Sequence, residues 1–338
     1  MLFPDRKYFQ TLSGSSGFQV DMVEKVYRLV SLLEKIVSHP TFGEMLLLRG
    51  GTALNFLYLD LPRLSVDIDL DFIGAVGKEE MEEIRPRLDV ALKRIFIADG
   101  YEMKPKPRET YALTQYFLSY TSAIPQRDMI KVEINYLNRV PVLGSHETKF
   151  RAVQVGIEEN FRVLTLKLEE LLASKAVTFL ARNHPRDLHD LFCLSNLTGK
   201  IDFDLAHKLV IFLGCIEEED FLDFTPEAVD SISFYDFKRE LLPLLRKGSP
   251  VGLDQMKAGT KQLLGLLLKR DELVITFLKK FHQEEIALQL LFGDFTLDPN
   301  IKNHPGAKWR LQSLLPEQKK RFLDKLKKES KSSSTAKL

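Results

Sequence analysis

Cysteine is nearly absent from this 338-residue chain: only Cys193 and Cys215 occur, and neither sits in a metal-like or redox pair spacing. That composition excludes a disulfide framework and a zinc site built on thiolates, and fits a reduced, cytoplasmic protein. An excess of charge of one sign is absent too. Lys plus Arg number 48 against 47 Asp plus Glu, so the global charge predicts no partner, and any nucleic-acid surface has to be a local patch. Long apolar runs are missing: no stretch approaches the ~18–20 residues of a membrane span. The opening MLFPDRKYFQ has charges and a proline where a signal peptide needs an apolar core. Secretion and membrane insertion are therefore not expected.

What is present is an ordinary globular composition, with 44% apolar and 28% charged residues, enough to bury a core. The length suits about two domains at roughly 100–200 residues each. Residues 12–17, LSGSSG, read as a flexible or turn-forming stretch. Val23, Val26, Leu29, Val30, Leu33 and Ile36 then recur at spacings of three and four, which predicts a helix ending near His39-Pro40. Met45 to Leu48 reads as a buried strand entering the Arg49-Gly50-Gly51 turn, with Thr52 as the cap of a helix over 53–58. Strand patterns follow at 64–73, 111–120 and 129–137, with a helix pattern at 79–98. From about Leu166 the patterns are almost only helical, at 166–182, 187–195, 204–213, 234–246, 254–268, 270–290 and 316–328. The fold class is thus α+β: a mixed sheet with helices, followed by a mostly helical domain. The expected division is 1–160 for the first domain and 161–325 for the second. Residues 326–338, basic and serine-rich, read as a flexible tail.

Between Leu64 and Ile73 the alternation is strict. Val66, Ile68, Leu70 and Phe72 share one face, and Ser65, Asp67, Asp69 and Asp71 the other. Aspartates one residue apart on a strand point the same way, about 6.5–7 Å apart, so their carboxylates can converge on one divalent ion or share two. Three like charges in alternation repel, and Mg2+, which prefers oxygen ligands, is the natural compensator. The competing reading is a solvated edge strand that carries charge against aggregation. The Gly50-Gly51-Thr52 turn narrows the choice. Glycines let backbone N–H groups approach a ligand, and a helix N-terminus attracts phosphate. A triphosphate between that turn and ions on Asp67 and Asp69 is the arrangement that nucleotidyl transfer needs.

The segment LLLRGGTALNFLYLDLPRLSVDIDLDF resembles the AbiEii/AbiGii toxin family, nucleotidyltransferases of the DNA polymerase beta superfamily. The resemblance extends upstream through SGFQVDMVEKVYRLVSLLEKI, downstream through LKLEELLASKAVTFLARNHPRDLHDLF, and to the late HPGAKWRLQSL. It implies a nucleotidyltransferase fold with a helical domain that completes the active site and binds the acceptor. It further implies an NTP substrate, Mg2+ or Mn2+, action on RNA and notably on tRNA acceptor ends, and restraint by a cognate antitoxin. The competing readings are a protein hydroxyl or small molecule as acceptor, or an inactive interaction protein of the same fold, against which the intact Asp67 and Asp69 argue.

The same resemblance assigns the remaining candidates. A third carboxylate from a later strand matches Glu133 in IKVEINYL. Asp71 competes for that role, and Glu133 can instead be a surface carboxylate paired with Lys131 or Arg139. Lys175 lies on the apolar stripe of its helix, where a lysine either snorkels to water or, as the family pattern implies, contacts nucleotide phosphates. Asp187 and Asp190 in RDLHDL stand one turn apart on one helical face. Asp187 matches a substrate-organising position, although near a helix start it can also simply favour the dipole. Ser65 either binds a phosphate or a metal-bound water, or completes a turn. Arg63 flanks the site with the glycine turn. His184 and His189 form no trustworthy ligand pair. An RNA acceptor requires cations, and Arg85, Arg87, Lys93 and Arg94 early, with a set from Lys269 to Arg321 late, supply them.

Overall fold

The computed structural model describes residues 3–103, 107–123, 126–150, 152–156, 161–197, 199–217, 220–249 and 251–335. The chain forms two compact units. The first comprises Met1–Leu168 and a returning segment, Phe234–Val251; the second comprises Glu169–Ser233 and Gly252–Leu338.

In the first unit, helix α1 (Arg6–Ser16) starts where the Asp5 side chain accepts a hydrogen bond from Tyr8 N, and ends at Gly17 with φ +78°. The stretch 12–17 is therefore not a flexible turn, because Phe9 and Ser13 of this helix are buried. Helix α2 (Val20–Val37) follows, and the apolar residues singled out by its periodicity are fully buried. Strand β1 (Leu46–Leu48) runs into helix α3 (Gly50–Ala53), which widens into a π-helical turn at Leu54–Tyr58. Strand β2 (Asp67–Phe72) and helix α4 (Lys78–Ala98) come next. Then follow β3 (Glu102–Met103), β4 (Arg108–Glu109), β5 (Leu113–Thr121), β6 (Arg127–Asn135), β7 (Ser145–Lys149) and β8 (Arg162–Leu166).

These strands form one mixed sheet in the order β3-β5-β6-β2-β1-β8-β7, with β4 also paired to β5. β2 is antiparallel to β1 and parallel to β6, so the acidic strand is central and not an edge. That position answers the aggregation-guard alternative: its carboxylates are not there to protect an open edge. Its apolar face packs inward, with Ile68, Leu70 and Phe72 buried.

The second unit is helical: α5 (Leu168–Arg182), α6 (Pro185–Ser195) and α7 (Phe203–Ile216), then helices over Leu253–Leu267, Glu272–His282, Leu288–Phe292, Pro305–Ser313 and Pro316–Thr335. The single helix expected over 270–290 is interrupted after His282, where Glu284 adopts φ +68°. Phe212, Phe277, Phe281 and Phe292 are fully buried and form its core.

The units divide differently from the expected segments 1–160 and 161–325. β8 completes the sheet by pairing parallel to β1, and the returning segment rejoins the first unit. There Leu64 N donates to Leu244 O, and Arg63 bridges Leu245. The helix expected over 234–246 is instead one short turn (Phe234–Asp236), a π-helical turn (Phe237–Leu241) and a 3-10 turn (Leu242–Leu244). Pro243 lacks the N–H that a continuous helix requires. Residues 326–335 continue the last helix; 336–338 and the former boundary at 157–160 lie outside the described residues.

Candidate active site

Register builds the site. In the parallel β2–β6 pair, Asp67 stands opposite Lys131, Asp69 opposite Glu133 and Asp71 opposite Asn135. The antiparallel β5 places Gln115 opposite Glu133. Gln115, Glu133 and Asp69 therefore form a polar row across three strands. Gln115 donates to Glu133 Oε2 at 2.7 Å, and Lys131 Nζ lies 3.3 Å from the same oxygen and 4.0 Å from Asp69 Oδ1. Glu133 is thus paired with Lys131. Arg139 is occupied elsewhere, donating to the carbonyls of Val76 and Tyr136.

The glycine turn leans on this row. Gly50 has φ +70°, which favours glycine, and a Cβ there would stand 2.5 Å from Asp69 Oδ2. A Cβ on Gly51 would stand 2.8 Å from Arg63 Nη2 and 3.0 Å from Ser65 Oγ. Gly50 thus excludes a side chain by both backbone and space, whereas a side chain at Gly51 would require Arg63 and Ser65 to shift. Arg49 N donates to Asp69 O, tying the turn to the acidic strand.

Thr52 does not cap a helix, because the helix begins two residues earlier, at Gly50, with Arg49 in the cap position. Its hydroxyl is fully buried, within hydrogen-bond distance of Asp67 O and Ser65 Oγ. Thr52, Ser65 and Arg63 are all buried behind the turn. They brace Gly50 and Gly51 against β2.

The electrostatics separate the carboxylates. Burial raises the Asp69 carboxyl above its ordinary range; Lys131 opposes that shift, and Asp67 and Glu133 reinforce it. Burial would raise Glu133 as well, yet Lys131, the Gln115 hydrogen bond and Arg49 together hold it below the usual value. Asp71 is buried, and although Arg49 Nη1 lies 3.1 Å from it, desolvation pushes its carboxyl up to about 6. Asp71 therefore has its own cation and is removed by one register step from the Asp69–Glu133 pair. Among the described residues no three His, Cys, Asp or Glu side chains already converge as a closed metal cluster. The donor set nevertheless suits a hard divalent cation. Its side-chain donors Asp67, Asp69 and Glu133 are all oxygen, with Asp69 and Glu133 opposite one another across the strand pair.

In the second unit, Lys175 does not snorkel. Its ammonium is buried, 2.8 Å from Asp187 Oδ1 and 3.2 Å from Asp190 Oδ2. Asp187 also accepts from Arg182 Nε at 2.8 Å. Burial opposes ionisation of Asp187, but Lys175 and Arg182 outweigh it and hold its carboxyl far below the usual range. Pro185 starts helix α6, as expected, and His184 caps it by accepting from Arg186 N. His189 is buried on α6 beside Cys193.

The family model described as nucleotidyl transferase AbiEii toxin, type IV TA system, matches residues 31–255. The chain belongs to the AbiEii nucleotidyltransferase toxin family. The match spans the glycine turn, the acidic strand, Glu133 and the Lys175–Asp187 cluster. Membership makes the protein a nucleotidyltransferase toxin and implies a cognate antitoxin. The fold is similar to that of MenT4, a nucleotidyltransferase toxin from Mycobacterium tuberculosis H37Rv. The TM-score is 0.60 at 19% identity, over 90% of this chain and 98% of that one. No curated protein matches the chain. Among the described residues, no helix of this AbiEii-family enzyme is long and apolar enough to cross a membrane.

Sequence reasoning missed Lys131 as a site residue in its own right, and missed Gln115 and Arg49. Lys131 alternates with Glu133 on the same strand face, and that alternation was the available signal. Gln115 owes its place to a register that no local pattern reveals. Several cations expected to serve an acceptor are occupied locally. Arg85 donates to the carbonyls of Thr110 and Tyr111, Arg270 to those of Leu222 and Phe224, and Lys319 pairs with Glu284.

Proposed function

We propose that this enzyme transfers a nucleotide from an NTP to the 3′ end of an RNA, tRNA first, in the cytoplasm, with Mg2+ or Mn2+ held by Asp67, Asp69 and Glu133. The observation that carries the reading is the Asp69–Glu133 pair across parallel strands with Gly50 pressed against the Asp69 carboxylate. When bound, a divalent cation supplies charge neutralisation for the triphosphate and activation of the attacking hydroxyl. Gly50 and Gly51 offer backbone N–H groups to the triphosphate from the start of α3. Thr52, Ser65 and Arg63, buried behind them, hold that turn in position for the phosphates. Glu133 is the better third carboxylate than Asp71 in this reading, because it stands directly opposite Asp69 across the parallel pair, whereas Asp71 stands opposite Asn135 and is buried. Lys131 holds Glu133 ionised and steadies Asp69. Lys175 and Asp187, which the family pattern assigns to phosphate contact and acceptor organisation, form a buried ionic pair joining α5 to α6.

The test is incubation with total tRNA, Mg2+ and each labelled NTP in turn. The expected result is label on RNA, with one NTP preferred. Label on protein or on a small molecule moves the acceptor to that class and leaves the enzyme assignment standing.

A further inference from the structure

The returning segment carries a feature that the nucleotidyltransferase assignment does not use. Phe234 and Tyr235 are 59% and 67% exposed, an unusual state for adjacent large aromatics. Each ring has a cation one helical turn away. Lys238 Nζ lies 4.6 Å from the Phe234 ring centre, and the Arg239 guanidinium lies 5.2 Å from that of Tyr235. Phe237 stacks near-parallel on Phe234 at 5.9 Å and is itself buried, which anchors the pair. Arg239 also pairs with Asp236 and Glu240. Within residues 234–241 two cations, Lys238 and Arg239, thus meet two carboxylates, and Lys238 stands over the exposed Phe234 ring.

The segment is fixed to the catalytic strand's own lead-in. Leu64 N donates to Leu244 O and Arg63 bridges Leu245, three and four residues before Asp67. The chain leaves the first unit at Leu168 and comes back at Phe234, and what it brings to the surface is two rings and two cations in matched pairs. A single-stranded nucleic acid offers the complement of each: a base with a π face and a phosphate. A protein-binding apolar patch would be expected to carry its charges at the rim instead of over the rings.

We infer that Phe234, Tyr235, Lys238 and Arg239 bind the single-stranded end of the RNA acceptor, the rings stacking on bases and the cations meeting phosphates. This inference rests on the RNA reading of the proposed function. It assigns acceptor binding to the catalytic unit and not only to the late basic helices.

The test uses the full chain and a fluorescein-labelled single-stranded RNA oligonucleotide, with binding followed by anisotropy in the absence of NTP. Phe234→Ala with Tyr235→Ala should weaken binding by about tenfold or more, the scale of removing one base–aromatic stack. Lys238→Gln with Arg239→Gln should lower the salt dependence of binding by about 0.7 for each phosphate no longer neutralised. Affinity for NTP should be unchanged in both. Tyr235→Ala alone, which keeps the Phe234–Phe237 stack, should still weaken RNA binding several-fold and guards against a folding artefact. If the wild type labels RNA and all three variants bind the oligonucleotide as it does, this inference is overturned while the proposed function stands. If the wild type labels only protein, both fall together.

Discussion

Two clusters of carboxylates and lysine in this protein are built from the same residue types and reach opposite electrostatic states. On the sheet, Asp67, Asp69 and Glu133 crowd Lys131, and the Asp69 carboxyl is raised. On helices α5 and α6, Asp187 and Asp190 enclose Lys175, and the Asp187 carboxyl is depressed. Burial opposes charge in both. The difference lies in the arrangement of the partners. Asp187 receives two cations at hydrogen-bond distance, Lys175 and Arg182, whereas Asp69 has Lys131 at 4.0 Å and two like charges beside it. The helical cluster is satisfied by its own residues. The sheet cluster leaves Asp69, among the described residues, with no cation closer than Lys131 at 4.0 Å, and under the proposed function that is where a divalent ion would add charge.

The largest expected effect breaks the sheet cluster. Asp67→Ala or Asp69→Ala should reduce transfer of labelled nucleotide by more than about 10³-fold, the scale of losing a main electrostatic group at a reacting centre. Thermal stability should be unchanged or slightly improved, because repulsion is relieved. Wild-type incorporation by either variant refutes the assignment.

The helical cluster should answer in the reverse sense. Lys175→Met fits the apolar stripe by shape, yet it leaves Asp190 and Asp187 buried with one of their cations gone. It should cost about 3 kcal/mol in urea unfolding. A stability loss below roughly 1 kcal/mol would show that the two clusters are less different than their geometry indicates.

Acid sharpens the same contrast. Asp187 has a folded-state pKa below its ordinary 3.8, so at low pH the unfolded chain takes up the proton first. Its contribution is fully present above 3.8 and is lost as pH falls toward the depressed value. Stability of Asp187→Asn should therefore fall less steeply than that of the wild type on acidification below 3.8, in denaturation midpoints measured at a series of pH values. Equal slopes would remove Asp187 as the source.

The smallest effect concerns the brace behind the glycine turn. Thr52→Val deletes a buried hydroxyl near Ser65 Oγ and Asp67 O and should cost about 1 kcal/mol, with a modest rise in the KM for NTP. A KM unchanged within error would mean that the turn holds its shape without the hydroxyl.

Much of this was legible in the sequence where a local pattern has only one geometric solution. Strict alternation placed Asp67 and Asp69 on one face, and periodicity placed Lys175 on the buried face of α5. What escaped was non-local. Gln115 joins the site through strand register, and β8 completes the sheet although it adjoins a helical stretch in the chain. The serine- and glycine-rich end of α1 forms a helix because Phe9 buries, which outweighs weak propensity. Phe234 to Arg246 read as an ordinary helix, because nothing local marks a segment that belongs to a distant unit.

That segment also sets an order in time. A ribosome releases residues 1–168 long before it reaches Leu244 and Leu245, yet those two residues pin the chain leading into Asp67. The first unit cannot be completed during early synthesis, because its last piece arrives only after Glu169–Ser233 has been made. A chain cut short anywhere before residue 244 lacks the strap that holds its own acidic strand, so the nascent toxin is incomplete until synthesis has passed that point.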